Sequence, residues 1–216
     1  MTTRRRSSAA IALVTAGVLL LASCSAPPAP SAVEPSTPPS APAVPVAPFA
    51  IEAEVGSGDP ALQEARVTLA PGRLSVPSLG IESPVEAVGV EPDGYMEIPE
   101  DVNVAGWYQY GSGPASESGS TVIAAHVDDP VQGIGPFARL RDAQVGAEAT
   151  VVDEAGTTHV YRITTVERIV KAEVPLDRVF TETGAPVLVL ITCGGAFDRA
   201  ARSYTDNYIV TAEKVV

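Results

Sequence analysis

Short apolar runs, each ended by turn residues, fill the chain from Leu74 to its C-terminus and leave few folds open to it. Val, Ile and Thr dominate these runs, and they favour strands because their branched side chains pack well on a pleated surface. Pro-Asp-Gly at 92–94 and several glycine-rich stretches supply the turns. The pattern predicts a mainly all-β fold, an eight-stranded β-barrel with short helices in its connections.

The candidate strands and helical turns can be placed along the chain from their apolar periods. The predicted strands lie at 73–81, 84–90, 95–99, 105–110, 120–127, 148–154, 159–170, 186–193 and 207–215. One short helical turn is predicted around Phe137 and Leu140, with Ile134 on the same face, and another at 176–183.

The first 25 residues differ in composition from the rest of the chain. Three arginines at 4–6 precede an unbroken apolar run at 9–22, which is the arrangement of an export signal. The sequence Leu-Ala-Ser-Cys at 21–24 resembles the lipobox of bacterial lipoproteins, in which the chain is cut before the cysteine and the thiol carries diacylglycerol. We therefore expect lipid attachment at Cys24. The alternatives are an uncleaved transmembrane helix and a cleaved signal whose product is released.

The segment that follows is rich in proline. Residues 26–48 contain nine prolines, which favour an extended polyproline II spacer and exclude a helix or a sheet. The sequence therefore predicts three parts: an export signal or membrane anchor at 1–25, a Pro-rich linker at 26–66 and a folded domain at 67–216. Either kind of anchor would hold this domain at the extracytoplasmic face of a bacterial cell membrane by its N-terminus.

The charge of the chain excludes several kinds of partner. It has 26 acidic and 14 basic residues, with a formal net charge of −12. Phosphate contacts need a basic face, so we expect no binding of nucleic acid and no adhesion to anionic lipid by the folded domain. Membrane contact is expected only through the N-terminal segment. The sequence has no ligand cluster with the spacing of a zinc site, and we expect no cofactor.

Cys193 is the candidate nucleophile. The continuous apolar run at 187–191 predicts a buried central strand that ends at Cys193, directly before two glycines. A thiol at the end of a rigid strand has a fixed position, and the glycines leave the approach to its sulfur open. The alternative is a buried structural cysteine that behaves as a small hydrophobic side chain.

His126 is the candidate partner of this thiol. It stands at the end of the predicted strand 120–127, so the histidine and the cysteine could meet on one rim of the barrel. Pairing with a histidine is an established way for a cysteine to form a thiolate near neutral pH. The alternative is a half-buried polar side chain at a strand end. The second histidine, His159, lies within an alternating strand and is predicted to be a surface or structural residue.

Four stretches, taken in order, resemble the sortase family, and most closely its actinobacterial class F group. They are RLSVPSLGIESPVEAVGVEPDGYMEIPEDVNVAGWY at 73–108, GSTVIAAHVD at 119–128, GPFARLRDAQVGAEATVV at 135–152 and VLVLITCGGAFD at 187–198. The resemblance covers the chain from Leu74 to Val216. It implies an eight-stranded sortase-type barrel in which His126 and Cys193 are catalytic.

The same resemblance implies a reaction and its partners. A sortase cleaves a C-terminal sorting signal of Leu-Pro-x-Thr-Gly (LPxTG) type on a secreted protein, between Thr and Gly, through a thioester on its cysteine. The acyl group then passes to an amine, usually that of a peptidoglycan precursor. We therefore expect a cysteine transpeptidase. Two alternatives stay open: a non-catalytic surface lipoprotein that serves as a binding module, and another wall-active cysteine hydrolase or transpeptidase.

The chain departs from the family pattern at the third functional position. Sortases use an arginine near the start of the last strand, and Asp206-Asn207 occupies that place here. Arg202 is our preferred candidate for this role because it is nearer to the last strand than the other loop arginine, Arg199. Arg199, Asn207 and Arg139 are the alternatives.

Overall fold

The structure is a computed structural model that describes residues 68–215. The predicted export signal, Cys24 with its lipid, and the Pro-rich linker lie outside the described residues, as do residues 67 and 216. None of the helices between residues 68 and 215 has the length and apolar character that a membrane span needs.

Strands make up most of the described chain, and the helical segments are short. The strands are β1 (Pro71–Val76), β2 (Ile81–Val88), β3 (Ala105–Tyr108), β4 (Ser120–Ala124), β5 (Asp128–Asp129), β6 (Gly133–Ile134), β7 (Glu148–Asp153), β8 (Thr158–Val170), β9 (Val187–Asp198) and β10 (Ser203–Lys214). The helical segments are three 3-10 turns, Pro77–Leu79, Pro136–Asp142 and Lys171–Glu173, and one α-helical turn, α1 (Leu176–Val179).

Eight of these strands close into a barrel, as the sequence predicted. Their order around the barrel is β1-β2-β3-β4-β9-β10-β8-β7, and β7 pairs with β1 to close it. The β2–β3 and β4–β9 pairs are parallel, and the other neighbours are antiparallel. The remaining two strands, β5 and β6, form a small separate hairpin directly after the segment that carries His126.

The core has two parts, one on each face of β9. Leu188 and Leu190 point into the barrel, where the main cluster is completed by Phe137 and Leu140 from the 3-10 turn at 136–142. Val189 and Ile191 belong to a second cluster on the opposite face, which also contains Met96 and Val179. Side chains alternate between the two faces of a strand, so Cys193 falls on the same outer face as residues 189 and 191. The nucleophile candidate therefore does not point into the barrel interior.

Two strand ends near the site differ from their predicted positions. β4 ends at Ala124, so His126 follows the strand instead of belonging to it. β9 does not end at Cys193 but runs on to Asp198, because Gly194, Phe197 and Asp198 pair with β10 across a register shift. Gly195 has a φ of +79°, which allows a bulge in this pairing without breaking it.

Other differences have simple local causes. The predicted strand at 73–81 is divided by a 3-10 turn that begins at Pro77, which lacks the N–H that a central ladder needs. The predicted strand at 95–99 is reduced to a single bridge between Val90 and Met96. Phe137 and Leu140 are buried in the 3-10 turn as expected, but Ile134 lies in β6 and is 81% exposed. Only the first turn of the helix predicted at 176–183 forms, as α1.

Candidate active site

Hydrogen bonds between the residues that precede Cys193 and His126 join the two candidate catalytic segments. The Thr192 hydroxyl donates a hydrogen bond to the carbonyl oxygen of Ala125 at 2.8 Å. The Ala125 amide in turn donates to the carbonyl of Ile191 at 3.2 Å, which extends the parallel β4–β9 pairing by one step. Thr192 and Ala125 immediately precede Cys193 and His126, so these bonds hold the backbones of the two candidate catalytic residues side by side.

The thiol of Cys193 is largely buried, and the chain around it is tightly packed. Cys193 is 6% exposed and stands directly across from Asn207 on β10. A side chain at Gly194 would collide with the ring of Tyr208, because a Cβ there meets the ring carbons. The glycines thus allow β9 and β10 to pair closely beyond the cysteine. This packing role differs from the open approach to sulfur that the sequence suggested.

A pocket of ≈ 710 Å³ brings together the three predicted catalytic side chains. His126, Cys193 and Arg202 all line it, whereas Arg199, Arg139 and Asn207 do not. The rest of its lining comes from the segment 91–98, the segment 127–130 and the β9–β10 hairpin. The preferred third residue therefore lies in the same pocket as the Cys–His pair.

Arg202 reaches the pocket because of the shape of the β9–β10 turn. The Asp198 carboxylate accepts hydrogen bonds from the backbone amides of Ala200 and Ala201, at 2.8 and 3.2 Å, and so caps the turn. Arg202 then adopts a φ of +51°, in the left-handed region, before β10 begins. Its side chain is exposed. Because Asp198 is engaged with the backbone, it holds the shape of the turn that presents Arg202.

The alternative candidates for the third catalytic residue have other surroundings. Arg139 donates to the carbonyls of Leu79 and Gly80, at 2.9 and 2.6 Å, and so ties two 3-10 turns together. Asn207 is 1% exposed, and its amide atoms have no hydrogen-bond partner among residues 68–215. Its neighbour Asp206 is paired with Arg168 of β8. The place where the resemblance implies an arginine thus holds a neutralised carboxylate and a buried amide.

Burial dominates the titration of both reactive groups. It raises the pKa of the Cys193 thiol to about 11, an effect that the Lys171 ammonium opposes by its charge and hydrogen bond and that Asp128 reinforces. Burial also lowers the pKa of His126 below its ordinary 6.5, although the charges of Asp129 and Asp128 act in the opposite direction. Both shifts favour the uncharged forms, so the resting pair near neutral pH is a thiol and a neutral imidazole.

Three polar side chains at this site were not predicted from the sequence. The Tyr204 hydroxyl donates to the Asp128 carboxylate at 2.6 Å, which joins the start of β10 to the segment after His126. Lys171 donates from its Nζ to the Ser203 hydroxyl at 2.8 Å. No local pattern relates residues 128, 171 and 204, because they come together only when β4, β9, β10 and β8 lie side by side in the barrel. Within residues 68–215 there is no group of three or more His, Cys, Asp or Glu side chains that could hold a metal ion.

The fold is shared with solved structures of low sequence identity. Sortase C1 from Streptococcus suis is 17% identical, with a TM-score of 0.53 over 69% of this chain and 75% of that chain. Sortase C-1 from Actinomyces oris is 20% identical, with a TM-score of 0.51 over 67% and 73% of the two chains. Sortase C-1 from Streptococcus pneumoniae is 22% identical, with a TM-score of 0.51 over 67% and 66%. At these identities the likeness concerns the fold, and the class F assignment stays a prediction.

The sequence itself carries the evidence for the family. Comparison with curated protein sequences gives no match. The family model described as "Sortase domain" matches residues 74–215, which is well over half of the 216 residues and includes the whole pocket. The chain therefore belongs to the sortase family and is a cysteine transpeptidase.

Proposed function

We propose that this transpeptidase cleaves an LPxTG-like sorting signal between Thr and Gly through a thioester on Cys193 and passes the acyl group to a cell-wall amine. The observation that carries the proposal is the bond from Thr192 to Ala125, which sets Cys193 and His126 in one pocket with Arg202. A nucleophile, an acid–base group and a cation in one cleft are the groups that acyl transfer needs.

The first half of the reaction forms the thioester. His126 takes the proton of the Cys193 thiol, and the sulfur attacks the carbonyl carbon of the Thr–Gly bond. Negative charge develops on the carbonyl oxygen, and the Arg202 guanidinium stabilises it. The C–N bond then breaks, and His126 returns its proton to the leaving glycine amine. Because both groups are uncharged at rest, this proton transfer is a step of the reaction and not a property of the resting pair.

The second half transfers the acyl group. An amine attacks the thioester carbonyl and gives up a proton to His126, and the C–S bond breaks to regenerate Cys193, which takes back the proton. Glu91, Asp93, Asp128 and Asp129 line the same pocket. Their carboxylates favour the approach of a protonated amine such as that of a peptidoglycan precursor, which releases one proton to solvent and then attacks as the neutral amine.

The reaction can be tested by product analysis. The full chain in detergent is incubated with an LPxTG peptide library and either a glycine or a diaminopimelate amine. We expect ligated peptides whose masses show loss of the residues after Thr. Hydrolysis without ligation would contradict the transfer step, and intact peptides throughout would contradict the substrate class.

Attachment at the membrane is a separate part of the proposal. The Leu-Ala-Ser-Cys sequence at 21–24 supports lipidation of Cys24, and two acyl chains give stable anchoring where one does not. Intact-mass analysis of the native protein should show a chain that starts at Cys24 and carries diacylglycerol. A mass that retains residues 1–23 would favour an uncleaved helix instead.

A further inference from the structure

Lys171 brings a second cation to the nucleophile from a different strand connection. It follows the last residue of β8 and opens the 3-10 turn at 171–173. Val170 pairs with Asp206, which in turn pairs with Gly194. Lys171 therefore lies level with the part of β9 that holds Cys193, with β10 between β8 and β9.

The ammonium group of Lys171 is held at this place. Its Nζ donates to the hydroxyl of Ser203 at 2.8 Å, and Ser203 is 4% exposed at the start of β10. The charge of Lys171 and a side-chain hydrogen bond from it lower the pKa of the Cys193 thiol, against the effect of burial. A lysine side chain loses much rotamer freedom when it is held in one geometry, and the bond to the buried Ser203 hydroxyl offsets part of that loss.

The other charged groups around the thiol do not replace this cation. Asp128 is negative and raises the pKa of Cys193. Arg168 is paired with Asp206, and Arg202 is exposed on the hairpin turn. The ring of His126 becomes positively charged only after it has taken the thiol proton.

We propose that Lys171 is a catalytic residue of the transpeptidase reaction proposed above, in which its ammonium stabilises the Cys193 thiolate and Ser203 holds that ammonium in place. The thiol proton goes to His126, and Lys171 keeps its own protons throughout. An N–H of Lys171 donates to Sγ as negative charge forms there. The N–H···S bond weakens when the sulfur becomes a neutral thioester, which leaves the acyl group open to attack by the amine.

Alkylation of Cys193 by iodoacetamide tests this role directly. Rates are measured at pH 7, 8 and 9 on the full chain in detergent, with the Cys193 peptide quantified by mass so that Cys24 does not contribute. We expect Lys171→Met to slow alkylation about 10-fold, the effect of one unit in the thiol pKa. Lys171→Arg should stay within about 2-fold of the wild-type rate, because the charge is retained. The alkylation rate of Ser203→Ala should lie between the rates of Lys171→Met and Lys171→Arg.

Lys214→Met is the matched control. Lys214 also donates from its Nζ to a neighbour, the carbonyl of Pro114 at 2.7 Å, but it lies at the opposite end of β10. We expect Cys193 in Lys214→Met to be alkylated at the wild-type rate. If Lys171→Met matches this control, the inference is wrong.

Misfolding and failure of the proposed function give different results. In an unfolded variant the thiol is exposed and is alkylated faster than in the wild type. Near-UV circular dichroism is therefore recorded for each variant. Lys171→Gln serves as a second neutral replacement. If alkylation depends on Lys171 but the wild-type chain transfers no LPxTG peptide, the substrate proposal fails and the role of Lys171 at the thiol stands. If the wild-type chain transfers peptide and neither neutral variant slows alkylation, only the role of Lys171 is refuted.

Discussion

The two histidines of this chain stand in opposite kinds of surroundings. His159 of β8 is buried, and its Nε2 is 2.8 Å from the carboxylate of Asp153, which also accepts a hydrogen bond from the Thr157 amide. His126 lies after β4 at the edge of an open pocket, beside the carboxylates of the 128–129 segment. A histidine with a fixed, buried partner stabilises a turn, whereas one that faces a pocket is available to exchange a proton with a substrate.

Loss of the pocket histidine or its thiol should have the largest effect. We expect Cys193→Ala to abolish both cleavage and transfer, because no other group in the pocket can form the thioester. His126→Ala should lower kcat/KM by about 10²–10⁴-fold, the scale of general acid–base catalysis. Both variants should keep the wild-type Tm, which thermal unfolding measures. Turnover in Cys193→Ala would contradict the assignment of the nucleophile.

The cation on the hairpin turn should have the next largest effect. Arg202→Ala should lower kcat/KM by about 10²-fold, the scale for one lost oxyanion donor. Arg202→Lys should rescue only in part, since an ammonium lacks the planar fork of a guanidinium. Arg199→Ala is the matched control, because Arg199 lies in the same turn but does not line the pocket. If Arg199→Ala lost activity while Arg202→Ala kept the wild-type kcat/KM, the oxyanion role would belong to Arg199 and not to Arg202.

Disruption of the buried histidine should change stability and leave catalysis intact. The hydrogen bond from His159 and that from the Thr157 amide lower the pKa of Asp153 below its ordinary 3.8. A carboxyl group whose pKa is lower in the folded state adds to the free energy of unfolding at pH values above its ordinary pKa. This contribution is lost as the pH falls through the pKa of the folded state. His159→Ala should therefore lower Tm by several degrees at pH 7 with an unchanged kcat/KM. Asp153→Asn should show a shallower loss of Tm below about pH 4 than wild type.

The smallest effect concerns the charge next to the pocket histidine. Asp129 raises the pKa of His126 against the effect of burial. Asp129→Asn should therefore move the His126 titration to lower pH, by a fraction of a unit for one partly screened charge. The imidazole proton resonances of the two histidines report this in one NMR titration. His159 serves as the internal control, and an equal shift in both histidines would indicate a general change in structure instead of a local charge effect.

The general form of the fold could be read from local patterns. Runs of Val, Ile and Thr predicted a mainly β chain, and the eight-stranded barrel is confirmed. The buried strand around Val187–Ile191 was recognisable because every residue in it is apolar, which is typical of a strand covered on both faces. The strand ends were harder to predict, because they depend on the partner strand. β9 continues past Cys193 only because β10 pairs with Gly194, Phe197 and Asp198 beyond it.

The amino-acid sequence by itself determined the fold class and the family, and it predicted His126 and Cys193 as the reactive pair, because each of the motifs involved consists of residues close together in the chain. Tertiary structure alone decided which face of β9 carries the thiol, which loop arginine reaches the pocket, and that Lys171 and Asp128 lie near the sulfur. These contacts join residues far apart in the chain. Their distances depend on strand register and on a hairpin turn with a left-handed residue, and neither leaves a local signal in the sequence.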